Sequence, residues 1–283
     1  MKTKVFITSG TGIECVPGTS QIGVLPDQIF FSSAESYLDS YEMDAESFIS
    51  RIKIDDAAKP TITGCSKEKV FDILEDANFD GYDNFYFILS PSRMSYYKPI
   101  IAKFLEENKD ITCEYYEVKS ESYPVVFMAM QAEQMLSRGT DLEEVTDVIT
   151  FYDNNNKIYL YSPSRDILPV VEKITYDEDV FMIRSTSMFY LLRQGNSLSV
   201  KLREKNKTIS PYLDEYIHEI ETKDCIPFLV YTNEYSRYKD VFGKLLEKIF
   251  PKKKVRAFLL SPEMVDKYGK FSCGLGLIEN RQI

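Results

Sequence analysis

The sequence predicts an α/β fold, with a parallel sheet in the amino-terminal half and an α+β arrangement in the carboxy-terminal half. Short runs of β-favouring residues alternate with helical patterns through the first half, and strands separated by helices of this length require right-handed crossovers in a parallel sheet. The run from Asn84 to Leu89 is aromatic and apolar, which is typical of a strand buried on both faces. In the second half, β-like runs follow one another closely, as they do in antiparallel hairpins.

The predicted strands of the amino-terminal half are bounded by Gly, Pro and Ser residues. They cover residues 4–8, 22–25, 28–31, 84–89 and 112–117. Asp44 and Ser66 are the expected N-caps of the first two helices, because each precedes apolar residues at helical spacing. A third helix follows the buried strand, and a fourth covers Val125 to Met135, which is apolar nearly all round.

The segment Asp153-Asn154-Asn155-Asn156-Lys157 is the clearest break in the chain, because polar turn formers separate a helix pattern from a strand. It predicts a domain boundary, with one domain over residues 1–155 and a second over residues 156–283. The elements expected in the second domain are strands at 158–161, 180–184, 188–192, 198–202, 227–231 and 256–260, a final glycine-rich strand, and helices at 211–220 and 236–249.

Length and composition exclude several classes of protein. A chain of 283 residues suggests roughly two domains, and 44% apolar with 28% charged residues is the composition of a soluble globular protein. The net charge of −10 argues against a general polyanion binder, whose affinity depends on Lys and Arg side chains that neutralise phosphates. The basic run from Lys252 to Arg256 is expected to be a solvated loop that leads into a strand, with a local anion or membrane-surface contact as the alternative.

Cysteine spacing and the apolar runs predict a cytoplasmic protein. The five cysteines are widely spaced and include no Cys-x-x-Cys pair, so reduced thiols are expected and a zinc or redox site is not. The apolar run after Met1 is too short for a signal-peptide core. Nowhere do 18 apolar residues run together, as a membrane-spanning helix requires.

Common catalytic and nucleotide-binding motifs are absent from the sequence. It contains no phosphate-binding P-loop, no Gly-x-Gly-x-x-Gly after the first strand and no Gly-x-Ser-x-Gly. The single histidine, His218, lies in an acidic helix and is expected at the surface, with a catalytic base as the alternative. Gly274 and Gly276 lie in a strand pattern, where a close approach of the backbone is expected rather than a phosphate cradle. No catalytic residue, metal ligand or cofactor is predicted.

Two hydroxyl-rich stretches stand out, Thr61 to Ser66 just before a helix and Ser90 to Ser95 between a core strand and its helix. In an open parallel sheet, loops at the carboxyl ends of the strands line the ligand crevice. Free N–H groups and hydroxyls at helix starts favour anions, so two such loops could together hold a carboxylate or a phosphate. Ordinary helix caps and turns are the alternative interpretation.

At these stretches the sequence resembles the DegV family of bacterial fatty-acid-binding proteins, which includes the acyl-carrier subunits of fatty acid kinase. Lys59-Pro60-Thr61-Ile62-Thr63-Gly64-Cys65-Ser66 stands where the family has x-Pro-Thr-Thr-Ser-Gln-Pro-Ser. Ser90 to Ser95 stands in the family's Leu-Ser-Ser-x-Leu-Ser-Gly stretch. Further matches, in the family's order, are Tyr37-Leu38-Asp39, the Gly195 turn followed by Lys201-Leu202-Arg203, and the closing Gly274-Leu275-Gly276-Leu277.

The resemblance implies a Rossmann-like amino-terminal domain and a carboxy-terminal α+β domain in a DegV-like two-domain architecture. It also implies a non-catalytic carrier that binds a long-chain fatty acid in a tunnel between the domains. Loop hydroxyls would hold the carboxylate, which the family presents to the catalytic subunit of a fatty acid kinase, and Arg203 would face that partner. The implied ligand-binding positions are Thr61, Ile62, Thr63, Ser92 and Ser95.

The chain departs from the family at the polar end of this site. The family's second threonine, a carboxylate contact, is Ile62 here, whereas the serine at the other contacting position is retained as Ser95. The family's carboxy-terminal histidine falls on Gly269. Its Gly-Gly-Arg falls either on a segment that ends in Arg165 or, in the better register, on Val171-Glu172. We therefore expect the pocket fold to be kept while its polar end is rebuilt.

Two other functions stay open at the level of sequence. A small-molecule acyl or phosphoryl transferase or hydrolase would use the same crevice, with Ser92, Ser95 or Cys65 as the nucleophile. These candidates have no histidine beside them in the sequence to act as a base. A degenerate scaffold would instead fill the pocket with its own side chains and act only through protein contacts.

Overall fold

The structure is a computed structural model that describes residues 2–54, 60–162, 189–194, 197–202, 210–233, 236–270 and 272–281. The chain divides into two compact units. Unit 1 consists of Met1–Asp153 with Ser261–Glu263, and unit 2 consists of Asn154–Leu260 and Met264–Ile283. Within the described ranges, no helix combines the length and the apolar character needed to span a membrane.

The elements of unit 1 alternate between strands and helices. Its strands are β1 (Thr3–Thr8), β2 (Gly23–Leu25), β3 (Asp27–Ser32), β4 (Glu35–Leu38), β5 (Thr61–Gly64), β6 (Asn84–Leu89) and β7 (Thr112–Glu117). Its helices are α1 (Ala45–Ile54), α2 (Lys67–Phe79), α3 (Pro91–Glu107), α4 (Tyr123–Ser137) and α5 (Leu142–Asn154). Four strands form a parallel sheet in the order β2-β1-β6-β7, which confirms the predicted α/β fold.

Strand β6 lies inside the parallel sheet and is buried at every residue. Its aromatic side chains pack against the neighbouring strand, where the ring of Phe6 stacks on Phe87 with centroids 5.1 Å apart and meets Phe85 edge-on at 5.4 Å. Helix α4 covers β1 with a surface of small and apolar residues. Because both faces of the sheet are covered, the central strand needs no polar side, as its sequence predicts.

A second, smaller sheet in unit 1 is antiparallel, with β3 between β4 and β5. The sequence predicts β3 but not β4 or β5. Each of the two missed strands has four residues and mixes polar with apolar side chains, so neither shows a clear period. Such short segments become strands because they pair with β3, which is a long-range effect.

Two helices of unit 1 begin at the predicted caps. The Oδ1 of Asp44 accepts a hydrogen bond from the backbone N–H of Ser47 at 2.7 Å. The Oγ of Ser66 accepts one from the backbone N–H of Lys69 at 3.2 Å. Both side chains therefore satisfy N–H groups that the first helical turn leaves without partners.

The predicted five-residue turn after α5 is wrong, because α5 continues to Asn154 and the next strand starts at Asn156. Asp153 is fully buried in the last turn of the helix. Its Oδ1 accepts hydrogen bonds from the backbone N–H of Ser120 at 2.9 Å and from the Ser120 hydroxyl at 2.6 Å, and its Oδ2 accepts from the N–H of Lys119 at 3.0 Å. A residue that looks like a turn former thus anchors the loop after β7.

Unit 2 contains a six-stranded sheet in the order β10-β9-β8-β13-β11-β12, antiparallel except for the β11–β12 pair. Its strands are β8 (Asn156–Ser162), β9 (Phe189–Gln194), β10 (Ser197–Leu202), β11 (Cys225–Tyr231), β12 (Arg256–Leu259) and β13 (Cys273–Glu279). The helices in the described part of this unit are α6 (Ser210–Thr222), α7 (Ser236–Ile249) and α8 (Pro262–Tyr268), and α8 is not predicted from the sequence. The predicted hairpin is confirmed by the β9–β10 pairing, while the strand predicted at 180–184 and the turn at Gly195 lie outside the described residues.

Several single-residue predictions in unit 2 are confirmed. His218 is exposed on α6, and the basic run leads into β12 with Lys252 and Lys254 exposed. Gly276 packs directly beneath the ring of Phe228, where a methyl group would lie 2.0 Å from the ring. The carbonyl of Gly276 also accepts a hydrogen bond from the hydroxyl of Tyr216 at 3.0 Å. Glycine is required there by the close approach of an aromatic ring.

Candidate functional site

The two hydroxyl-rich stretches fall on β5 and at the start of α3. The expectation that Thr61 to Gly64 is a loop is wrong, since these residues form β5 and pair with β3. Thr61 and Thr63 lie opposite Phe30 and Gln28, whereas Ile62 lies opposite Ile29, so the side chains alternate between the two faces of the small sheet. Because Ile29 is fully buried, Ile62 belongs to the interior face and the two threonines to the opposite face.

Ser90 lies directly after β6, at its carboxyl end, and is the N-cap residue of α3 without a side-chain capping bond. The predicted positions Ser92 and Ser95 are both exposed in the first turns of this helix. This end of a parallel strand is where ligand crevices form in open α/β sheets. The helix start also presents N–H groups that favour an anion.

Aromatic contacts join the two stretches. A methyl group at Gly64 would lie 2.4 Å from the ring of Tyr96, which shows how closely α3 approaches the end of β5. The hydroxyl of Tyr96 donates to the carbonyl of Cys65 at 3.0 Å. The hydroxyl of Tyr97 accepts from the N–H of Cys65 at 3.1 Å and donates to the carbonyl of Pro26 at 3.2 Å. The structure therefore brings β5 and the first turns of α3 together.

The predicted hydroxyls are engaged with the protein's own backbone. Thr63 Oγ1 donates to the carbonyl of Gly64 at 3.1 Å, and Ser95 Oγ donates to the carbonyl of Pro91 at 3.0 Å. Ser92 Oγ lies 3.4 Å from Ser90 Oγ. A hydroxyl carries one proton, so Thr63 or Ser95 must rotate away from its carbonyl before it donates to a ligand.

A buried charged cluster, which we call the Arg93 cluster, forms around a residue in the first turn of α3 and is not predicted from the sequence. It consists of Arg93, Asp27, Glu263, Asp39 and Ser9. Arg93 Nε donates to Asp27 Oδ1 at 2.8 Å, and its Nη2 lies 3.6 Å from Glu263 Oε2. The side chain of Asp27 is fully buried, whereas 32% of the Glu263 side chain is exposed.

The turn after β1 organises the Arg93 cluster. Ser9 Oγ donates to Asp39 Oδ2 at 2.8 Å and accepts from the backbone N–H of Asp27 at 2.8 Å. The carbonyl of Gly10 accepts from Ser261 Oγ at 2.6 Å. These bonds tie the segment Ser261–Glu263 to the carboxyl end of β1. Glu263 therefore joins residues that are more than 150 positions earlier in the chain, which no local sequence pattern indicates.

Burial decides the protonation of the acids in the Arg93 cluster. Removal from water raises the pKa of Asp27 well above its ordinary value. The positive charge of Arg93 lowers this pKa in part, whereas the neighbouring carboxyls of Glu263 and Asp39 raise it further. Burial and the nearby charge of Glu14 raise the pKa of Asp39 to about 7. The cluster therefore carries less negative charge than its composition suggests.

One sequence signal could have pointed to this cluster. Arg93 stands inside the hydroxyl-rich stretch Ser90 to Ser95, and an arginine at the start of a helix after a buried strand is a candidate anion ligand. Asp27 and Asp39 stand well before Arg93 in the sequence and Glu263 stands far after it, with no common spacing. Only the fold brings them to one place.

The candidate nucleophile Cys65 is poorly suited to covalent chemistry. Burial raises the pKa of its thiol to about 11, which disfavours the reactive thiolate at neutral pH.

Among the described residues, no group of three His, Cys, Asp or Glu side chains is placed to hold a metal ion. All five cysteines are free thiols.

The remaining positions implied by the resemblance lie elsewhere. Arg203 and Arg165 fall outside the described residues. Gly269, the position expected to replace the family's histidine, follows α8 with a φ of 91°, a left-handed conformation that favours glycine.

Comparisons with solved structures find the same fold over almost the whole chain. A stearic-acid-binding protein from Eubacterium ventriosum matches with a TM-score of 0.81 at 15% identity, covering 99% of this chain and 98% of that one. DegV, a fatty-acid-binding protein from Bacillus subtilis, matches with a TM-score of 0.78 at 16% identity, covering 99% and 100%. The fatty acid kinase B3 protein of Streptococcus pneumoniae, loaded with linoleic acid, matches with a TM-score of 0.71 at 12% identity and the same coverage.

Sequence comparisons give a family but no relative of curated function. No protein of curated function matches the chain. The profile of the family described as uncharacterised DegV proteins matches residues 2–168, which is more than half of the chain. This protein belongs to the DegV family.

Proposed function

We propose that this protein binds and carries a long-chain fatty acid without transforming it. The observation that carries the proposal is the match of 99% of the chain, at a TM-score of 0.81, to a protein whose ligand is stearic acid. Membership of the DegV family and the approach of β5 to the first turns of α3 support it. The free thiols are consistent with a cytoplasmic setting in a bacterium.

The energetics favour a ligand with a long alkyl chain. Burying about 14 methylenes of a 16-carbon acid contributes a gross ~11 kcal/mol at ~0.8 kcal/mol each. A hydrogen bond to the charged head group adds about 1.5–3 kcal/mol. The apolar chain therefore supplies most of the affinity, and the polar end sets the orientation of the ligand.

The polar end is assigned to hydroxyls of β5 and α3. The hydroxyls of Ser95 and Thr63 now donate to backbone carbonyls, and each is able to donate to a ligand carboxylate instead. Thr61 and Ser92 lie two and three positions away in the sequence and offer further hydroxyls. Ile62 has no donor to offer, so its contribution is limited to apolar contact. Burying a carboxylate without hydrogen-bond donors costs free energy, so the remaining hydroxyls and N–H groups must donate to it.

Presentation of the bound acid to a fatty acid kinase is the further part of this proposal. Support comes from the structural likeness to the kinase B3 protein of Streptococcus pneumoniae. Arg203 is the residue we assign to the partner-facing surface. Incubating the oleate-loaded protein with ATP and a bacterial fatty acid kinase catalytic subunit should yield oleoyl phosphate, and Arg203→Ala should reduce the yield. Absence of product would restrict the function to simple carriage.

Native mass spectrometry of the purified protein tests fatty acid binding. We expect one co-purifying fatty acid per chain, or one bound oleate after addition to delipidated protein. Absence of both would overturn the proposal. Ser95→Ala should weaken oleate binding roughly ten- to a hundredfold, which corresponds to one hydrogen bond to a charged group. The matched control is Ser137→Ala on α4, whose hydroxyl also donates only to its own helix, to Gln134 at 3.0 Å.

A further inference from the structure

We propose that Arg93 is the residue that recognises the carboxylate of the fatty acid, and that the Glu263 carboxylate competes with the ligand for the same guanidinium. The inference rests on the proposed function and deepens it. Neither residue was among the positions that the family resemblance implied. Their arrangement within the Arg93 cluster carries the argument.

Arg93 has unused hydrogen-bonding capacity. Within the described residues its guanidinium makes one hydrogen bond, from Nε to Asp27 Oδ1. The contact of Nη2 with Glu263 Oε2, at 3.6 Å, is too long for a hydrogen bond. A guanidinium has five N–H donors, so the two terminal nitrogens keep donors in the fork that pairs bidentately with a carboxylate.

These terminal nitrogens also remain accessible. The Arg93 side chain is 9% exposed. In the described part of the chain, the buried side-chain atoms without a hydrogen-bond partner are Asp27 Oδ2 and Glu219 Oε2, and no nitrogen of Arg93 is among them. A nearly buried cation with accessible, unused donors is a built anion site, unlike a solvated lysine on the surface.

Glu263 marks the place that an external carboxylate would take. A methyl group at Gly10 would lie 2.0 Å from Glu263 Oε2 and 2.7 Å from Asp27 Oδ2, so both oxygens lie over the Cα of Gly10. Asp27 Oδ2 is buried and has no hydrogen-bond partner among the described residues. When Asp27 is protonated, this oxygen is able to donate to a carboxylate beside it.

Exchange of Glu263 for a ligand keeps the local charge balanced. Replacing one carboxylate by another leaves the same negative charge beside Arg93, whereas adding a ligand without displacing Glu263 would crowd two anions at one cation. Asp27 keeps its hydrogen bond from Arg93 Nε in this exchange, because the ligand takes only the place of Glu263. The 32% exposure of the Glu263 side chain gives it room to swing away.

The test measures dissociation constants for oleate and for oleyl alcohol, which has the same chain without the charge. Glu263→Gln should tighten oleate binding at least fivefold and leave oleyl alcohol unchanged. Arg93→Gln should weaken oleate binding at least tenfold and again leave the alcohol unchanged. In the double variant the gain from Glu263→Gln should disappear, because the competition requires Arg93.

Glu106→Gln is the matched control, since it changes the net charge equally at an exposed position on the last turn of α3. It should alter neither constant. The inference is overturned if Glu263→Gln leaves the oleate constant within twofold, or if Arg93→Gln weakens acid and alcohol equally. Should Arg93→Gln fail to fold, Glu263→Gln alone decides the question. A wild-type protein that binds neither compound would instead overturn the proposed function.

Discussion

Arg93 Nε donates to Oδ1 of Asp27 at 2.8 Å, while the other oxygen of that carboxyl has no hydrogen-bond partner among the described residues. This pair joins the first turn of α3 to the start of β3, two elements 66 positions apart in the chain. It is nearly removed from water, with side-chain exposures of 9% and 0%. The stability of the protein should therefore depend strongly on whether a substitution at Asp27 keeps an acceptor for Arg93.

Asp27→Ala should destabilise the protein by about 3–5 kcal/mol, because it leaves the buried Arg93 without its hydrogen-bonded partner. Asp27→Asn should cost less than about 1.5 kcal/mol, since the amide oxygen still accepts from Arg93 and the amide N–H resembles a protonated carboxyl. Urea unfolding at neutral pH measures both. Equal losses for the two variants would contradict this account of the pair.

Because of Asp39, the free energy of unfolding should decrease as the pH rises from about 4 to about 7. The pKa of this buried carboxyl is about 7 in the folded protein against an ordinary 3.8, so between these values the folded state holds a proton that the unfolded chain has released. The slope is about 1.4 kcal/mol per pH unit, and it levels off above pH 7.

Asp39→Asn tests this, because the amide does not titrate. The free energy of unfolding is measured for both proteins at pH 5 and pH 7.5. Relative to the wild type, the free energy of unfolding of the variant should rise by about 2–3 kcal/mol over that interval, because the wild-type carboxyl ionises and the amide does not. A difference that stays constant with pH would show that Asp39 does not titrate in this range.

Gly64 should not tolerate a side chain. Gly64→Ala places a methyl group 2.4 Å from the ring of Tyr96 and 2.9 Å from that of Tyr97, and the resulting shift should cost about 1–3 kcal/mol. The matched control is Gly243→Ala on α7, where the nearest atom is 3.9 Å away and helix propensity should add up to about 1 kcal/mol of stability. Thermal unfolding distinguishes the two, and a neutral Gly64→Ala would refute the close approach.

Asp153→Ala should destabilise unit 1 by about 3 kcal/mol or more, because it leaves the buried N–H of Ser120 and the partly buried N–H of Lys119 without this acceptor. Asp147→Ala on the same helix is the control. Asp147 is exposed, so its removal should change stability by less than about 0.5 kcal/mol. Hydrogen exchange at the amides of Lys119 and Ser120 should accelerate in Asp153→Ala, and unchanged protection would contradict the anchoring role.

Local sequence signals determined most of the longer strands and helices of this protein. The apolar run of β6 indicates a strand covered on both faces, and Asp44 and Ser66 mark the first turns of their helices through their own side chains. These features depend on neighbours a few residues away. The hydroxyl stretches are equally local, whereas the family resemblance is read from short matches that follow one another in the family's order along the chain.

The tertiary structure alone decided the short strands and the Arg93 cluster. Thr61 to Gly64 forms a strand because β3 offers it hydrogen bonds, and Asp153 is a buried anchor because the loop after β7 passes beside it. Arg93, Asp27 and Glu263 are separated by tens to hundreds of positions, and each alone resembles a surface charge. Their meeting depends on chain crossovers that no local pattern encodes, and only the low dielectric of the folded interior makes their interaction strong.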